Sequence, residues 1–361
     1  MFRIHMLPAG HGDCLWVEYG EDPDRPHRVL IDGGTAATYR TLRTRIRDLE
    51  PDQRRFELVV VTHVDADHIA GMVRLLRDDT LGLRVDDVWF NDFGHLPSDA
   101  LGPVQGEFLA AVFAERGLKS NQAFGGGAVM VEDPANPPVV TLPGGMKLTL
   151  LSPVREGLAA LAKFWKEEVH AKGFEPTDHR AALRLLGHRK DLRTLPGDAL
   201  GPPRLDVEAL VGEPYTPDTS PANGSSVAFL AEYGGVRCLF AGDAHPPVLE
   251  RALDALPGGG SRLPLHALKV SHHASKGNLS PRLLEQVECD NFLISTNGKY
   301  YGHPHPQSVA RIVAQRSGAT LWFNHRGKPA EPWDDAILKS RYRYRTMFPD
   351  AAAPGVTVDL G

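Results

Sequence analysis

An α/β fold of two sheets packed face to face, with helices outside, is what the sequence predicts. Short apolar or alternating runs recur with helical stretches between them in both halves of the chain, and this rhythm stops for one long segment in the middle. In the first half, residues 2–7 and 15–19 pattern as a hairpin around the loop Pro8-Ala9-Gly10-His11-Gly12-Asp13, and 28–31 is a third strand running into Asp32-Gly33-Gly34. Residues 35–49 carry Tyr39, Leu42, Ile46 and Leu49 at helical spacing and are ended by Pro51. A continuous apolar strand at 58–62 leads straight into His63, and 67–77 is a helix with Ile69, Met72, Val73 and Leu76 on one face. A strand at 85–90, a helix at 108–116 and a strand at 146–151 follow.

The second half repeats the pattern. Residues 226–233 and 236–240 form a hairpin around Gly234-Gly235, followed by a helix at 247–256, a strand at 265–270, a helix at 281–287, a strand at 292–295, a helix at 306–316 and a strand at 320–323. Residues 154–221 interrupt it with two amphipathic stretches, 156–171 and 180–186, and a Gly-, Pro- and Asp-rich run from 194. This segment lacks the apolar content of an independent domain. It is expected to be a mostly helical and loop insertion, a cap or rim within a single domain spanning 1–361.

With 361 residues, 42% hydrophobic and 24% charged, the composition is globular and excludes a disordered or low-complexity chain. No apolar run reaches the roughly 18 residues of a bilayer span, and residues 1–6 lack the marks of a signal peptide, so the expectation is a cytoplasmic protein with no membrane partner. Cys14, Cys238 and Cys289 are far apart and form no Cys-x-x-Cys pair, which points to reduced, buried thiols. The net charge of −5 gives the molecule no general attraction for a polyanion. Two basic stretches, one with Arg40, Arg43, Arg45 and Arg47, the other Lys339-Ser340-Arg341-Tyr342-Arg343-Tyr344-Arg345, read first as solvated faces. Sixteen histidines are the unusual feature.

They cluster at His63-Val64-Asp65-Ala66-Asp67-His68, where a buried strand gives way to a helix. Side chains at 63, 65 and 67 share one side of an extended segment while His68 points elsewhere, so one loop can serve two metals. An acidic helix cap would account for one of the carboxylates only. Carboxylates and imidazoles without a thiolate suit Zn²⁺ or Mn²⁺.

This motif resembles the His-x-[His/Asp]-x-Asp-His signature of the metallo-β-lactamase fold. Gly10-His11-Gly12-Asp13 with Ile31-Asp32-Gly33-Gly34, Asn223-Gly224-Ser225-Ser226-Val227, Phe240-Ala241-Gly242-Asp243, Leu268-Lys269-Val270-Ser271-His272-His273-Ala274-Ser275 and Asn297-Gly298-Lys299-Tyr300-Tyr301-Gly302-His303-Pro304 are similar, in order, to the C-terminal hydrolase domain of the ComEC/Rec2 competence proteins. His11 stands where that family more often has glutamine, Ala274 replaces a glycine, and the insertion has no counterpart.

The resemblance implies an αββα sandwich and a dinuclear site holding two divalent ions. Asp67, His68 and one histidine of the His272-His273 pair would hold one ion, His63 and Asp65 the other, with Asp243 bridging and Asn223 completing the second site. Alternation along 268–272 favours His272 as the ligand and leaves His273 to the substrate. Asp13 would orient a metal-bound histidine, and His11 would border the site. The implied activity is phosphodiester hydrolysis by a shared hydroxide, most of all a nuclease acting on DNA or RNA. Asp67 would serve the catalysis as well as the metal, and His303 or His273 would assist the leaving oxygen. Lys276, Lys299 and Arg326 would neutralise phosphate oxygens. The alternatives are a hydrolase of a small phosphodiester, such as a cyclic nucleotide or phosphocholine-type ester, and a metal-stabilised binding module controlled by a regulatory protein partner or by proteolysis.

Overall fold

The computed structural model describes residues 1–96, 104–171, 175–188, 205–257, 260–350 and 355–361. Fourteen strands build the two main sheets: β1 (Phe2–Met6), β2 (Leu15–Tyr19), β3 (His27–Ile31), β4 (Leu58–Val60), β5 (Val88–Trp89), β6 (Val139–Thr141), β7 (Lys147–Ser152), β8 (Ala228–Tyr233), β9 (Val236–Phe240), β10 (Ala267–Lys269), β11 (Asn291–Ile294), β12 (Thr320–Phe323), β13 (Arg345–Met347) and β14 (Val356–Asp359). The helices are α1 (Tyr39–Arg47), α2 (Ala66–Arg77), α3 (Val104–Arg116), α4 (Arg155–His170), α5 (His179–His188), α6 (Val207–Gly212), α7 (Pro221–Gly224), α8 (Pro246–Ala255), α9 (Pro281–Gln286), α10 (Pro306–Gln315) and α11 (Ala336–Tyr342).

The first sheet runs β14-β1-β2-β3-β4-β5 and the second β13-β12-β11-β10-β9-β8-β7-β6. They face each other through Ile4, Val17, Val29, Leu58 and Val60 on one side and Leu148, Leu150, Phe229, Cys238, Phe240 and Leu293 on the other. The period of two explains why β4 reads as an unbroken apolar run: Leu58 and Val60 fill the sandwich, while Val59 and Val61 pack under the helices with Leu42, Ile46, Ile69 and Met72. Leu249, Leu253, Leu284, Val309 and Ile312 form the helical layer on the other face. The result is an αββα sandwich, the metallo-β-lactamase fold that the motif order implies.

Strands β3, β4 and β5 are parallel, as are β9 through β13. The carboxyl ends of β3, β4, β9, β10 and β11 lead to Asp32, His63, Asp243, His273 and Ser295, and such ends are where open α/β sheets collect ligands. Helices α4 and α5 of the 154–221 segment contribute Leu158, Leu161, Trp165, Val169 and Ala182 to the same apolar layer as α1 and α2. Residues 189–204, which include the first part of the Gly- and Pro-rich run, lie outside the described residues.

Three short strands are not picked out by the sequence pattern. β6, β13 and β14 lie at sheet edges with largely exposed side chains, so burial does not select their composition. The single strand expected at 265–270 is two: Leu263–Leu265 pairs with Val287–Cys289 in a separate ribbon, and β10 stops at Lys269. Val287, expected to end a helix, begins that ribbon strand instead. In the basic stretch, Tyr344 is buried and donates its hydroxyl to the Trp333 carbonyl at 2.7 Å, so it offers no stacking face. The three cysteines are buried and unpaired. Among the described residues no helix is long and apolar enough to cross a membrane.

Candidate metal centre

The chain leaves β4 through Val61 and Thr62, and α2 starts at Ala66. Asp65 occupies the N-cap position with extended backbone, but its carboxylate makes no capping hydrogen bond, so it is not consumed by the helix terminus. Gly12 lies against this loop. A Cβ there would collide with the Asp67 carbonyl, so only glycine permits the first loop to close on the second.

Hydrogen bonding fixes the orientation of three imidazoles. Asp32, fully buried, accepts from the Thr62 amide and hydroxyl, each at 2.8 Å, and from His68 Nδ1 at 2.7 Å. Because the Thr62 hydroxyl proton goes to Asp32, its oxygen accepts from His63 Nδ1 at 3.0 Å. His273 Nδ1 donates to the Ser295 carbonyl at 2.8 Å. Each Nδ1 thus carries its proton outward, which leaves each Nε2 inward as the nitrogen that would offer a lone pair to a metal once any proton on it is displaced.

The three Nε2 atoms converge on Asp243. Its Oδ2 lies 3.7 Å from His63 Nε2, 3.5 Å from His68 Nε2 and 3.7 Å from His273 Nε2. His68 Nε2 and His273 Nε2 are 3.2 Å apart, and His273 Nε2 is 3.5 Å from Asp67 Oδ2. Asp65 Oδ2 stands 3.6 Å from His63 Nε2. Apart from the His68–His273 approach, these distances are too long for good hydrogen bonds. Two donors each about 2.0–2.1 Å from a tetrahedral ion stand about 3.4 Å apart, which is the spacing seen. His63 Nε2 and Asp243 Oδ1 are buried without any hydrogen-bond partner. The residues present fit divalent cations.

Charge points the same way. Asp13, Asp32 and Asp243 are buried and Asp67 nearly so, and the buried ammonium touching this set is Lys269, 2.5 Å from Asp13. One cation against four carboxylates leaves an excess that protons hold on the imidazoles when no metal does. Burial lowers the His68 pKa, but Asp243 and then Asp32 overcome it and hold it well above the usual value. The His273 pKa, also lowered by burial, is driven up to about 10 by Asp243 and Asp13. Burial raises the Asp243 and Asp67 pKa values, and the surrounding histidines outweigh it to hold both well below the carboxylate range. Metal binding here would displace protons from the histidines.

The alternation that favours His272 over His273 fails because the strand does not continue that far. β10 ends at Lys269, and His272, His273 and Ala274 take left-handed backbone with φ of 47°, 53° and 63°. The turn sends His273 into the group with Asp67, His68 and Asp243. His272 lies at the rim, with Nε2 3.8 Å from Asp243 and Nδ1 3.0 Å from Asn278 Oδ1 and 3.1 Å from Asn223 Nδ2. Asn223 Oδ1 is buried without a partner.

Four groups with roles here escape the motif reading: Asp32, Lys269, Asp218 and Asn278. Asp218 accepts from Asn223 at 2.6 Å and from Asn278 at 3.0 Å, and lies 3.4 Å from His272. A lone lysine inside the apolar run Leu268-Lys269-Val270 is a readable signal, since a buried ammonium needs a carboxylate. Asp32 lies within a quoted motif without an assigned role. Nothing local marks Asp218.

The remaining expected residues divide. Asp13 backs His273, with Oδ1 3.3 Å from its Nδ1. His11 packs edge-on against Tyr300 with centroids 4.6 Å apart. His303 is buried, with ring centroids 5.0 Å from His272 and 6.0 Å from His273, and burial, then His273 and His272, push its pKa down to about 2. It is therefore a neutral imidazole, able to donate an N–H hydrogen bond but carrying no spare proton. Lys276 and Lys299 are exposed. Arg326 is tied to Asp334 at 3.0 Å and lies over the Phe348 ring, so its guanidinium is already engaged.

This fold and side-chain set define a class. Residues 8–135 match the metallo-β-lactamase superfamily, and the αββα architecture and the candidate His/Asp metal-binding groups agree with that match. Among individual proteins, the chain is similar to ComE operon protein 3 of Bacillus subtilis (strain 168), 28% identical over 157 residues. That stretch is 43% of this chain and 18% of the relative, so the chain spans under a fifth of that protein's length. Among solved structures, the metallo hydrolase Igni18 of Ignicoccus hospitalis aligns at 12% identity and a TM-score of 0.40, covering 99% of this chain and 97% of that one. The short form of human tRNase Z aligns at 10% identity with a TM-score of 0.41, and Zn²⁺-bound PqqB of Methylobacterium extorquens at 12% with 0.42, each covering 99% of both chains.

Proposed function

We propose that this protein is a metal-dependent phosphodiesterase whose substrate is nucleic acid, DNA or RNA, and that it works with two divalent ions, Zn²⁺ or Mn²⁺. The observation that carries the reading is the convergence of three inward Nε2 atoms, of His63, His68 and His273, on Asp243. Asp67, His68, His273 and Asp243 are the residues for one ion. His63, Asp65 and Asp243 are those for the other, with His272 and Asn223 the nearest further donors.

When bound, such a pair of ions lowers the pKa of water and stabilises charge on a phosphate under attack. The protein's own groups do the rest. Asp32, Thr62 and the Ser295 carbonyl hold the three imidazoles in the one tautomer that ligates. His303, neutral and at the rim, donates an N–H to a phosphate or leaving oxygen. Lys276 and Lys299 are the exposed cations of the adjoining loops, in reach of a backbone that extends beyond the scissile group. The motif order, which resembles that of the competence-protein hydrolase domain, supports a nucleic-acid substrate. The net charge of −5 favours a second reading, a small phosphodiester such as a cyclic nucleotide, because a polyanion gains no long-range attraction.

The test is a substrate panel of single- and double-stranded DNA, RNA and cyclic nucleotides, given to Zn²⁺- or Mn²⁺-loaded wild type and Asp67→Ala. Cleavage of polymer by wild type alone is the expected result. Cleavage of cyclic nucleotides only selects the second reading, and an inert wild type rejects both.

A further inference from the structure

Tyr301 is the one large aromatic among the exposed hydrophobic side chains of the described residues, at 63% exposure. Its position is not arbitrary. It ends a ladder of rings that begins in the metal centre: His273 and His303 lie at 28° with centroids 6.0 Å apart, and His303 and Tyr301 at 32° and 5.9 Å. His11 closes one side, 6.3 Å from Tyr301 at 65°, and is itself braced edge-on by Tyr300. Asp65 and Asp67 lie close enough to Tyr301 to help burial raise its phenol pKa.

The loop that carries Tyr301 is held at its base. Gly298 has a φ of +70°, and a Cβ there would press on the Pro329 ring and the His303 carbonyl, so the chain is closely packed where it enters the turn. An exposed ring on such a braced turn, two ring spacings from a metal-centre histidine, presents a flat apolar face beside the place where the phosphate would react. In a nucleotide the base lies one sugar away from its phosphate. Near-parallel planes suit another flat ring, whereas a quaternary ammonium is held by a cage of aromatic faces, and the exposed Lys276 and Lys299 on neighbouring loops oppose a cationic headgroup.

We infer that Tyr301, flanked by His11 and His303, is a stacking platform for an unpaired nucleobase of the substrate, an inference that rests on the phosphodiesterase reading above. It selects single-stranded nucleic acid or a nucleotide over duplex and over phosphodiesters without a base.

Equilibrium binding decides this, with cleavage followed in parallel. The probes are a short thymidine single strand, the same strand made abasic, and thymidine monophosphate as competitor. Wild type is expected to bind the base-bearing strand about 5- to 150-fold more tightly than the abasic one, the range for one stacked base. Tyr301→Phe keeps that ratio, because the ring face and not the hydroxyl does the stacking, and Tyr301→Ala brings it near one. The side chain is exposed, so neither variant threatens folding. Competition by the monophosphate at similar concentrations marks a nucleotide site, and weak competition marks a strand site; both support the platform. Equal affinity of wild type for the two strands, or a ratio that survives Tyr301→Ala, overturns it. Base discrimination without cleavage of either strand keeps the platform and rejects the phosphodiesterase reading; cleavage of both strands without discrimination does the reverse.

Discussion

Lys269→Met isolates the electrostatic support beneath the centre. Lys269 and Asp13 are each 1% exposed and 2.5 Å apart, so the substitution leaves a carboxylate in the interior without its cation. Breaking a buried pair from one side costs about 3–5 kcal/mol. With an unfolding entropy of about 2.1 cal/mol/K for each of 361 residues, the lower figure corresponds to a fall in Tm of about 4 °C.

The pH dependence has a definite sign. In the wild type, burial raises the Asp13 pKa but Lys269 and then His273 overcome it and hold the group at about 2. This carboxylate therefore adds stability above its unfolded pKa of about 3.9 and loses it as pH falls through 2. Without Lys269 the largest opposing charge is gone, and burial moves the Asp13 pKa up from its wild-type position. The stability the carboxylate adds shrinks accordingly, and the loss is greatest where the group is ionised. Thermal unfolding of chelator-treated protein at pH 5 and pH 8 should show a larger deficit for Lys269→Met at pH 8, and Lys269→Met/Asp13→Asn should recover part of it. An equal deficit at both pH values, with no recovery in the double variant, would refute the reasoning.

Three further outcomes follow from the same geometry. Asp32→Asn removes the acceptor that holds His68 in its ligating tautomer, so zinc affinity measured by competition with a chelator should fall about 10- to 100-fold. Gly12→Ala drives a methyl into the Asp67 carbonyl; retained metal content in a folded variant should drop, and full retention would contradict the close approach. Glu107 is buried against Trp165 and the Thr177 amide, and burial raises its pKa from 4.5 to about 7. Its contribution is therefore complete below the unfolded pKa of about 4.3 and lost as pH rises through 7. The difference in unfolding free energy between Glu107→Gln and wild type should move in favour of glutamine by about 2 kcal/mol from pH 5 to pH 8, after allowing for partial solvent screening. Denaturant titrations at the two pH values measure it, and a constant difference would count against it.

How much of this centre is legible in the sequence depends on how local each contact is. His63, Asp65, Asp67 and His68 come from one strand-to-helix loop, so the sequence brings them together whatever the tertiary structure. Asp243 is marked by a buried strand ending in Gly-Asp. The choice between His272 and His273 turns on three left-handed residues after β10, and strand alternation has no means of foreseeing that turn. The outward partners of the imidazoles are more remote: Asp32 meets His68 across 36 residues, and the Ser295 carbonyl meets His273 across 22. Asp218 reaches His272 from the segment expected only to cap the fold. Arg326 reads as a free cation in the sequence because nothing there reveals Asp334 and Phe348 folding back onto it. The edge strands β6, β13 and β14 are silent for the same physical reason: exposed side chains are not selected for an apolar pattern.

Metal stoichiometry tests the central claim most directly. Protein loaded with Zn²⁺ and then freed of excess ion by gel filtration should hold about two equivalents per chain, with about one lost in His273→Ala. Retention of less than one equivalent by folded wild type, or a content that His273→Ala leaves unchanged, would contradict the account of a two-ion centre built around Asp243.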